Sequence, residues 1–258
     1  MIYVIGTGVM GRAIAKALAK KGQKVFVYDK TFAKAKVLAK AKNISADRNF
    51  ENLEKADFVV LAVKPFHMDE VGSAVKGLMK PSAILISIAT GIKINRLERI
   101  FGRKKVIRGM PNLGVAVGQG AMAWQAAALN NAEKKAAKKL LDTFTENFQV
   151  NDEKLIDAFT AIAGSGPAYF FYFAQGLQKA TQNLGFDKST AAKIVKKVFS
   201  AASVLQENQD YDELIKQVAS KKGTTERMLK IFGKNQLHKI INKAAKGAYE
   251  RAKEISNE

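Results

Sequence analysis

The chain opens with Met1-Ile2-Tyr3-Val4-Ile5-Gly6-Thr7-Gly8-Val9-Met10-Gly11-Arg12, an apolar run that leads into three closely spaced glycines. The β-branched and aromatic residues of this run predict a strand, and a helical pattern begins directly after it. The stretch therefore predicts the strand–turn–helix of a dinucleotide-binding unit, with G-x-G-x-x-G at Gly6, Gly8 and Gly11. Gly6 permits the tight turn, Gly8 the close approach of a pyrophosphate, and Gly11 the packing of the helix on the strand.

A second apolar strand, predicted over residues 24–29, ends in Asp29, where a ribose-binding carboxylate belongs. The alternative, a purely structural glycine turn, is disfavoured by this acid. Asp29 would accept a hydrogen bond from a ribose 2′-hydroxyl and would repel a 2′-phosphate, which favours NADH over NADPH. Lys30 partly offsets that repulsion. The cofactor-binding candidates from these two strands are Gly6, Thr7, Gly8, Val9, Met10, Gly11, Asp29 and Lys30.

Composition limits the function classes. The chain has 258 residues, 47% of them hydrophobic, which is enough for one large or two small domains. Its net charge is +20, but the lysines are spread over nearly every helix rather than gathered in a stripe, so we expect no nucleic-acid partner. With no cysteine and only His67 and His238, we expect no metal site and a reducing, cytoplasmic location.

Two long uncharged stretches, residues 109–132 and 158–178, raise the question of a membrane span. The first contains Pro111, Asn112 and several glycines, and the second contains a Gly-Ser-Gly-Pro turn near its middle. Lipid-facing helices tolerate such residues poorly, so we expect buried elements and no membrane partner.

The N-terminal half alternates strands with helices, which predicts an α/β fold with a doubly wound parallel sheet. From residue 152 no strand pattern remains and helix follows helix. We therefore predict a dinucleotide-binding domain over residues 1–151 and a helical domain over residues 152–258. The predicted strands after the second are 57–63, 83–88, 105–108, one or two within 114–125, and 148–150. The predicted helices are 9–21, 32–42, 68–79, 94–101 and 132–144, then 152–163, 168–184, 188–207, 211–219, 225–232 and 235–256.

The helix predicted over residues 168–184 carries five consecutive aromatic residues, from Tyr169 to Phe173. A helix that is apolar nearly all round must be buried on every side. About a hundred residues hardly surround such a helix alone, so we expect a partner subunit to pack on it.

Five stretches stand where ligands collect, at the carboxyl ends of strands or before helices. For the two stretches in the helical domain, the alternative interpretation is an ordinary helix start at 164–169 and an ordinary helix cap at 220–225. The five stretches are residues 6–11, 63–65, 108–112, 164–169 and 220–225.

Together and in this order, these stretches resemble pyrroline-5-carboxylate reductase over essentially the whole chain. They match its GxGxMG, its VKP, its RxMPN-like segment, its GSGPAY and its GTT. The resemblance implies a Rossmann-type N-terminal domain with an all-helical C-terminal dimerisation domain. It also implies reduction of 1-pyrroline-5-carboxylate to L-proline with NADPH or NADH, the last step of proline synthesis. Members form dimers through their C-terminal helices and often assemble into decamers.

The resemblance also assigns residues. It places Val63, Lys64 and Pro65 on the nicotinamide side, and a hydroxyl close to the substrate ring at Thr160, the one catalytic candidate. It assigns the substrate carboxylate to Ser220, Gly223, Thr224 and Thr225. No strong general acid is required, because a protonated imine accepts hydride readily and the product is an amine.

One departure bears on the substrate. The family loop usually reads S-P-G-G-T-T, whereas this chain has Lys221 and Lys222 in place of the proline and the first glycine. Three alternatives therefore stay open: a reductase of another cyclic imine, a β-hydroxyacid dehydrogenase relative, and a catalytically idle nucleotide-binding paralogue. The second is disfavoured because no lysine follows the Gly-Ser-Gly turn until Lys179.

Overall fold

The computed structural model describes residues 1–206 and 210–257. Glu207, the predicted end of one helix, and Glu258, the end of the predicted second domain, lie outside the described residues. By backbone proximity the chain divides into two compact units: Met1–Pro167 with Ala248–Glu258, and Ala168–Gly247. The domain ranges 1–151 and 152–258 stay predictions.

The first unit is built on an eight-stranded sheet of order β3-β2-β1-β4-β5-β6-β7-β8. All neighbouring strands are parallel except β6 and β7, which are antiparallel. The strands are β1 (Ile2–Ile5), β2 (Val25–Tyr28), β3 (Ile44–Ala46), β4 (Phe58–Leu61), β5 (Ile84–Ser87), β6 (Val106–Pro111), β7 (Ala121–Ala127) and β8 (Glu146–Gln149).

Within the described residues, six α-helices accompany the sheet and five more follow them. The first six are α1 (Val9–Lys20), α2 (Phe32–Leu38), α3 (Met68–Val75), α4 (Ile94–Phe101), α5 (Asn131–Leu141) and α6 (Glu153–Phe159). The others are α7 (Gly166–Asn183), α8 (Lys188–Leu205), α9 (Tyr211–Val218), α10 (Thr224–Lys234) and α11 (Leu237–Asn257). The α/β class with an all-helical C-terminal region is thus confirmed.

Continuous apolar runs form the central strands because both faces of the sheet are covered. β1 is buried at all four positions, and its side chains alternate between two apolar clusters, one on each face of the sheet. Ile2 and Val4 belong to one cluster, and Tyr3 and Ile5 to the other. A doubly wound sheet of this kind collects ligands at the carboxyl ends of its strands.

The structure differs from the sequence-based expectation between α2 and β3 and in the direction of β7. α2 ends at Leu38 rather than at residue 42, and the chain then forms the short strand β3, which we did not expect. The stretch 114–125, predicted to hold one or two strands, contributes to one strand, β7, which follows a 3₁₀ turn at Leu113–Val117. β7 runs antiparallel to β6, because a connection this short returns the chain beside the strand it leaves.

No described helix is both long and apolar enough to cross a membrane.

Candidate active site

The glycine-rich turn joins β1 to α1. Gly6 has φ of 97°, and a Cβ there would lie 2.8 Å from the carbonyl oxygen of Ala62. A Cβ on Gly11 would lie 1.9 Å from the carbonyl oxygen of Gly6, so the helix packs against the turn only without a side chain. A Cβ on Gly8 would meet no atom within 4 Å. Gly6 and Gly11 are therefore packed against neighbouring backbone, whereas Gly8 borders open space.

Helix α1 begins at this open face. Its N-cap residue is Gly8, and no side chain caps it. Its first backbone N–H groups are therefore left for an anion, and the helix dipole favours negative charge there. The residues fit a dinucleotide pyrophosphate, as the sequence pattern predicts.

Asp29 ties the turn to the end of β2. Its Oδ2 accepts hydrogen bonds from the backbone N–H and the hydroxyl of Thr7, at 2.8 and 2.7 Å. Its Oδ1 accepts one from the backbone N–H of Thr31 at 2.9 Å. A carboxylate has about four acceptor positions, so one remains on Oδ1 for a ribose hydroxyl.

The charge of Asp29 is stable at neutral pH. Partial burial raises the pKa of this carboxyl, but the hydrogen bonds from Thr7 and Thr31 and the charge of Lys34 outweigh it and hold the pKa below its usual value. The group is therefore an anion when the protein works near neutral pH.

A cleft of about 680 Å³ runs along the carboxyl ends of five strands. This volume lies within the range of ligand sites, roughly 300–1,000 Å³. At the β2 side its walls are Tyr28, Asp29, Lys30, Thr31, Lys34, Phe50, His67, Glu70, Val71 and Ala74. In the middle they are Ile5, Gly6, Gly8, Val9, Met10 and Ala62, and at the β6 side Val63, Lys64, Pro65, Ile88, Ala89, Thr90, Met110 and Pro111.

The structure thus brings most of the cofactor candidates together. Thr7 and Gly11 do not line the cleft, since Thr7 is buried against Asp29 and Gly11 against Gly6. Lys30 lines it but pairs with Glu70, with Nζ 2.6 Å from Oε1. The sequence-based reasoning did not identify Glu70 or Phe50, because neither stands in a motif.

After β4, the chain turns away from the sheet at Lys64 and Pro65. Pro65 starts a 3₁₀ turn at Pro65–His67, and the backbone N–H of His67 donates to the carbonyl oxygen of Lys64 at 3.0 Å. Proline suits the first position of such a turn because its missing N–H has no partner to lose there. The segment lines the cleft beside Val63.

Thr160 begins a π-helical turn, Thr160–Gly164, that follows α6. Such turns are frequent at functional sites. Its hydroxyl donates to the carbonyl oxygen of Ile156 at 2.7 Å. A Cβ on Gly164 would lie 3.1 Å from Met110 Cε and 3.8 Å from Thr160 Cγ2, so Thr160 lies near the Met110 wall without lining the cleft.

A buried ion cluster supports the same end of the sheet. The Arg108 side chain is 2% exposed and donates to Glu153 at 3.0 Å, to Asp157 at 2.5 Å and to Ser256 at 3.1 Å. Arg108 lies on β6, just before the cleft residue Met110, and Asp157 lies on α6. The sequence-based reasoning singled out residues 108–112 but not this cluster, because its partners are far apart in sequence.

The substrate-loop candidates lie in the second unit, at the start of α10. Gly223 is the N-cap, and its N–H donates to the carbonyl oxygen of Ser220 at 3.0 Å. Lys222 has φ of 60°, and its N–H is bonded to the Glu226 carboxylate. A positive φ at the third residue of a hydrogen-bonded turn is typical of type II, which favours Pro-Gly at its centre. The chain therefore keeps this turn with Lys221 and Lys222.

No side chain caps α10, so its first N–H groups, with the hydroxyls of Thr224 and Thr225, are placed as an anion site would require. A Cβ on Gly223 would lie 2.3 Å from Ser220 Oγ and 3.0 Å from the Ser220 carbonyl oxygen, so a larger residue here would displace the Ser220 hydroxyl. Among the described residues, no cluster of acidic and histidine side chains is arranged to hold a metal ion.

The glycine turn and the cleft define the class, a dinucleotide-binding α/β protein with a helical C-terminal region. Comparisons with known proteins agree. Residues 1–91 match the family model described as NADP oxidoreductase, coenzyme F420-dependent, and residues 153–255 match that described as pyrroline-5-carboxylate reductase dimerisation.

Individual relatives specify the family. The pyrroline-5-carboxylate reductase of Haemophilus influenzae is 34% identical over 264 residues, covering 99% of this chain and 97% of that protein. The chain therefore belongs to the pyrroline-5-carboxylate reductase family, which confirms the resemblance. The solved structure of the Coxiella burnetii reductase matches with a TM-score of 0.89 and 30% identity, covering 99% and 98% of the two chains. That of the Plasmodium falciparum pyrroline carboxylate reductase, with NADP bound, matches at 0.82 and 26%, covering 99% and 97%.

Proposed function

We propose that this protein reduces 1-pyrroline-5-carboxylate to L-proline with a reduced nicotinamide dinucleotide, the last step of proline biosynthesis. Full-length membership of the reductase family, together with a cleft whose glycine turn fits the pyrophosphate, carries this proposal. The cofactor lies along the carboxyl ends of the strands, with its nicotinamide end near Val63, Lys64 and Pro65.

The reaction asks little acid catalysis of the protein. A protonated cyclic imine is an iminium whose carbon accepts a hydride, which the reduced nicotinamide supplies when bound. The product is an amine, so no alkoxide develops and no strong general acid is required. The side chains mainly have to hold the two reactants in line and bind the substrate carboxylate.

Thr160 is the proposed residue beside the ring. Its hydroxyl proton is engaged with the carbonyl oxygen of Ile156. Its oxygen keeps acceptor positions, so it can accept a hydrogen bond from the iminium N–H in the position that the family resemblance assigns to it. We propose that Thr160 orients the ring and stabilises the protonated iminium by accepting this hydrogen bond, so that it assists hydride transfer rather than enabling it.

The loop before α10 is the proposed carboxylate site. Ser220, Thr224 and Thr225 supply hydroxyls, and the N-terminus of α10 after Gly223 supplies backbone N–H groups. Lys221 and Lys222 add positive charge within the loop, which favours an anionic substrate.

Cofactor preference follows from charge at the β2 side of the cleft. Asp29 and Glu70 are anions, and Lys30 and Lys34 are cations, so the group has no excess positive charge to attract a 2′-phosphate. The ionised Asp29 also offers an acceptor to a 2′-hydroxyl. We propose that NADH is favoured over NADPH.

The C-terminal helices are the proposed dimer interface. All five aromatic side chains from Tyr169 to Phe173 on α7 are at least 47% exposed in the single chain. So large an apolar surface marks an interaction site, and the dimerisation family matched over residues 153–255 identifies its partner as a second copy. We propose a homodimer built on domain 152–258; further assembly into a decamer and the cytoplasmic location stay predictions.

The test is oxidation of NADH and NADPH by the purified protein with 1-pyrroline-5-carboxylate, with L-proline identified by chiral chromatography. We expect saturable turnover with both cofactors and a higher kcat/KM with NADH. A protein that binds NADH but turns over only another cyclic imine would contradict the substrate. One that binds NADH and turns over no imine would be the idle paralogue.

A further inference from the structure

Phe50 has an unusual backbone. It has φ of 61°, in the left-handed region where a bulky side chain is a true outlier. Glycine or asparagine would hold this conformation at a lower cost in free energy. Strain of this kind persists only where the surroundings impose it, and it often marks a ligand site.

The loop that imposes this conformation is organised by Asp47, which is 3% exposed. Its carboxylate accepts backbone N–H groups from Asn49 at 3.2 Å, Glu51 at 3.2 Å and Asn52 at 2.9 Å. These donors lie on both sides of Phe50. The loop is therefore held in place, and the direction of the Phe50 side chain is set with it.

The ring of Phe50 stacks on Tyr28, with 4.0 Å between the ring centroids and 30° between the planes. Both side chains are half-buried, and both line the cleft. Tyr28 is the last residue of β2 and directly precedes Asp29. The stacked pair is therefore part of the cleft wall beside the proposed ribose site.

The order of the strands gives the direction of the cofactor. The glycine turn after β1 takes the pyrophosphate, and Asp29 after β2 takes the adenosine ribose. The adenine then lies beyond Asp29, on the β2 side, where Phe50 and Tyr28 line the cleft together with Val71 and Ala74 of α3. We propose that Phe50 and Tyr28 form the stacking platform for the adenine of NADH or NADPH.

This proposal rests on the proposed function only in assuming that the ligand is a nicotinamide adenine dinucleotide. Adenine suits stacking on an aromatic ring because both groups have flat π-faces, and stacking removes the apolar surface of both from water. The competing explanation is that Phe50 merely covers the core, because its ring also lies 6.3 Å from that of buried Tyr3. Phe26 covers Tyr3 at 6.4 Å but does not line the cleft, and so it supplies a matched control.

The experiment compares Phe50→Leu and Phe26→Leu in the full-length protein by calorimetric titration. The ligands are NADH, ADP-ribose, which keeps the adenosine half, and reduced nicotinamide mononucleotide, which lacks it. Leucine keeps the apolar cover but removes the π-face. We expect F50L to weaken NADH and ADP-ribose about 5- to 100-fold, with the mononucleotide unchanged. We expect F26L to leave all three affinities unchanged.

A second variant, Phe50→Gly, guards against a folding defect, because glycine adopts the positive φ without strain. It should bind NADH as weakly as F50L. Equal weakening of NADH and the mononucleotide, or ADP-ribose affinities that match the unmutated protein, would overturn the proposal. A protein that binds NADH but does not reduce 1-pyrroline-5-carboxylate would contradict the proposed function and leave this test intact.

Discussion

The hydroxyl of Ser256 donates a hydrogen bond to Asp157 Oδ1 at 2.7 Å, and the same oxygen accepts from the Arg108 guanidinium. Ser256 is in the last turn of α11, whereas Asp157 is on α6. The bond therefore fastens the C-terminal end of the chain to the sheet through a buried cation. Burying such charges is stabilising only when every partner is present.

Removing one member of this cluster should destabilise the protein strongly. We expect Arg108→Met to lower the free energy of unfolding by about 3–5 kcal/mol, because it leaves Asp157 and Glu153 without their cation. Ser256→Ala should cost about 1–3 kcal/mol. Urea unfolding at a fixed protein concentration measures both. The control is Lys138→Ala, which breaks an exposed pair with Asp142 and should cost under about 1 kcal/mol. Equal effects of R108M and K138A would contradict this.

The lowered pKa of Asp29 predicts a pH dependence. A carboxyl whose pKa is lower in the folded than in the unfolded chain stabilises the fold above its unfolded pKa, about 3.9. This contribution is lost as the pH falls through the lower, folded pKa. The stability advantage over Asp29→Asn should therefore be constant from pH 8 to 5 and shrink below pH 4. Chemical unfolding across this range measures it, and an advantage that grows on acidification would contradict the assignment.

Lys222 should carry a conformational cost that glycine removes. We compare Lys222→Gly with Lys222→Ala, because both variants lack the charge and differ only in their tolerance of φ near 60°. We expect the glycine variant to be more stable by about 1 kcal/mol in urea unfolding. It should also have the lower KM for substrate, since the turn before Gly223 is better populated. Identical stabilities would show that the turn differs from the one described.

Glu70 should limit the use of NADPH. Glu70→Gln removes a negative charge from the β2 side of the cleft and frees Lys30 from its pair. We expect the ratio of kcat/KM for NADPH to that for NADH to rise about 2- to 5-fold, an effect suited to an exposed pair. Steady-state kinetics measure the ratio. Glu213→Gln, which breaks the exposed pair with Lys216, is the control and should leave it unchanged. A fall in the ratio for E70Q would argue against the charge explanation.

The aromatic face of α7 should hold the dimer together. Tyr172 is 79% exposed in the single chain, so Tyr172→Glu leaves the isolated fold intact but buries a charge at the proposed interface. We expect the dimer to weaken by roughly 30-fold or more, the effect of losing a major contact. Light scattering across a dilution series measures it. Ala136→Glu, at an exposed position of α5, is the control. A Y172E protein as dimeric as the control would place the interface elsewhere.

Local patterns determined much of this protein. The glycine turn and helix α4 (Ile94–Phe101) follow the sequence-based expectation, because strand, turn and helix signals are written in adjacent residues. Asp187 caps α8, and its side chain accepts hydrogen bonds from the backbone N–H groups of Ser189 and Thr190. The family motifs predicted the class of cofactor and the reductase family, because they too are written in adjacent residues.

Strand β3 was beyond this kind of reasoning. It has three residues, of which only Ile44 is buried, and so it shows neither an apolar run nor a full alternation. It exists because β2 offers an open edge for it to pair with. The antiparallel direction of β7 follows from the short connection after β6, and the residues of β7 themselves do not show it.

The sequence by itself determined the class of fold, the glycine cradle and the family, because each is encoded over short stretches with fixed spacing. Only the tertiary structure decided that Arg108 meets Asp157 and Ser256, that Lys30 pairs with Glu70, and that Phe50 stacks on Tyr28. Those contacts join residues far apart in the chain. Their energies depend on burial and distance, which no local pattern contains.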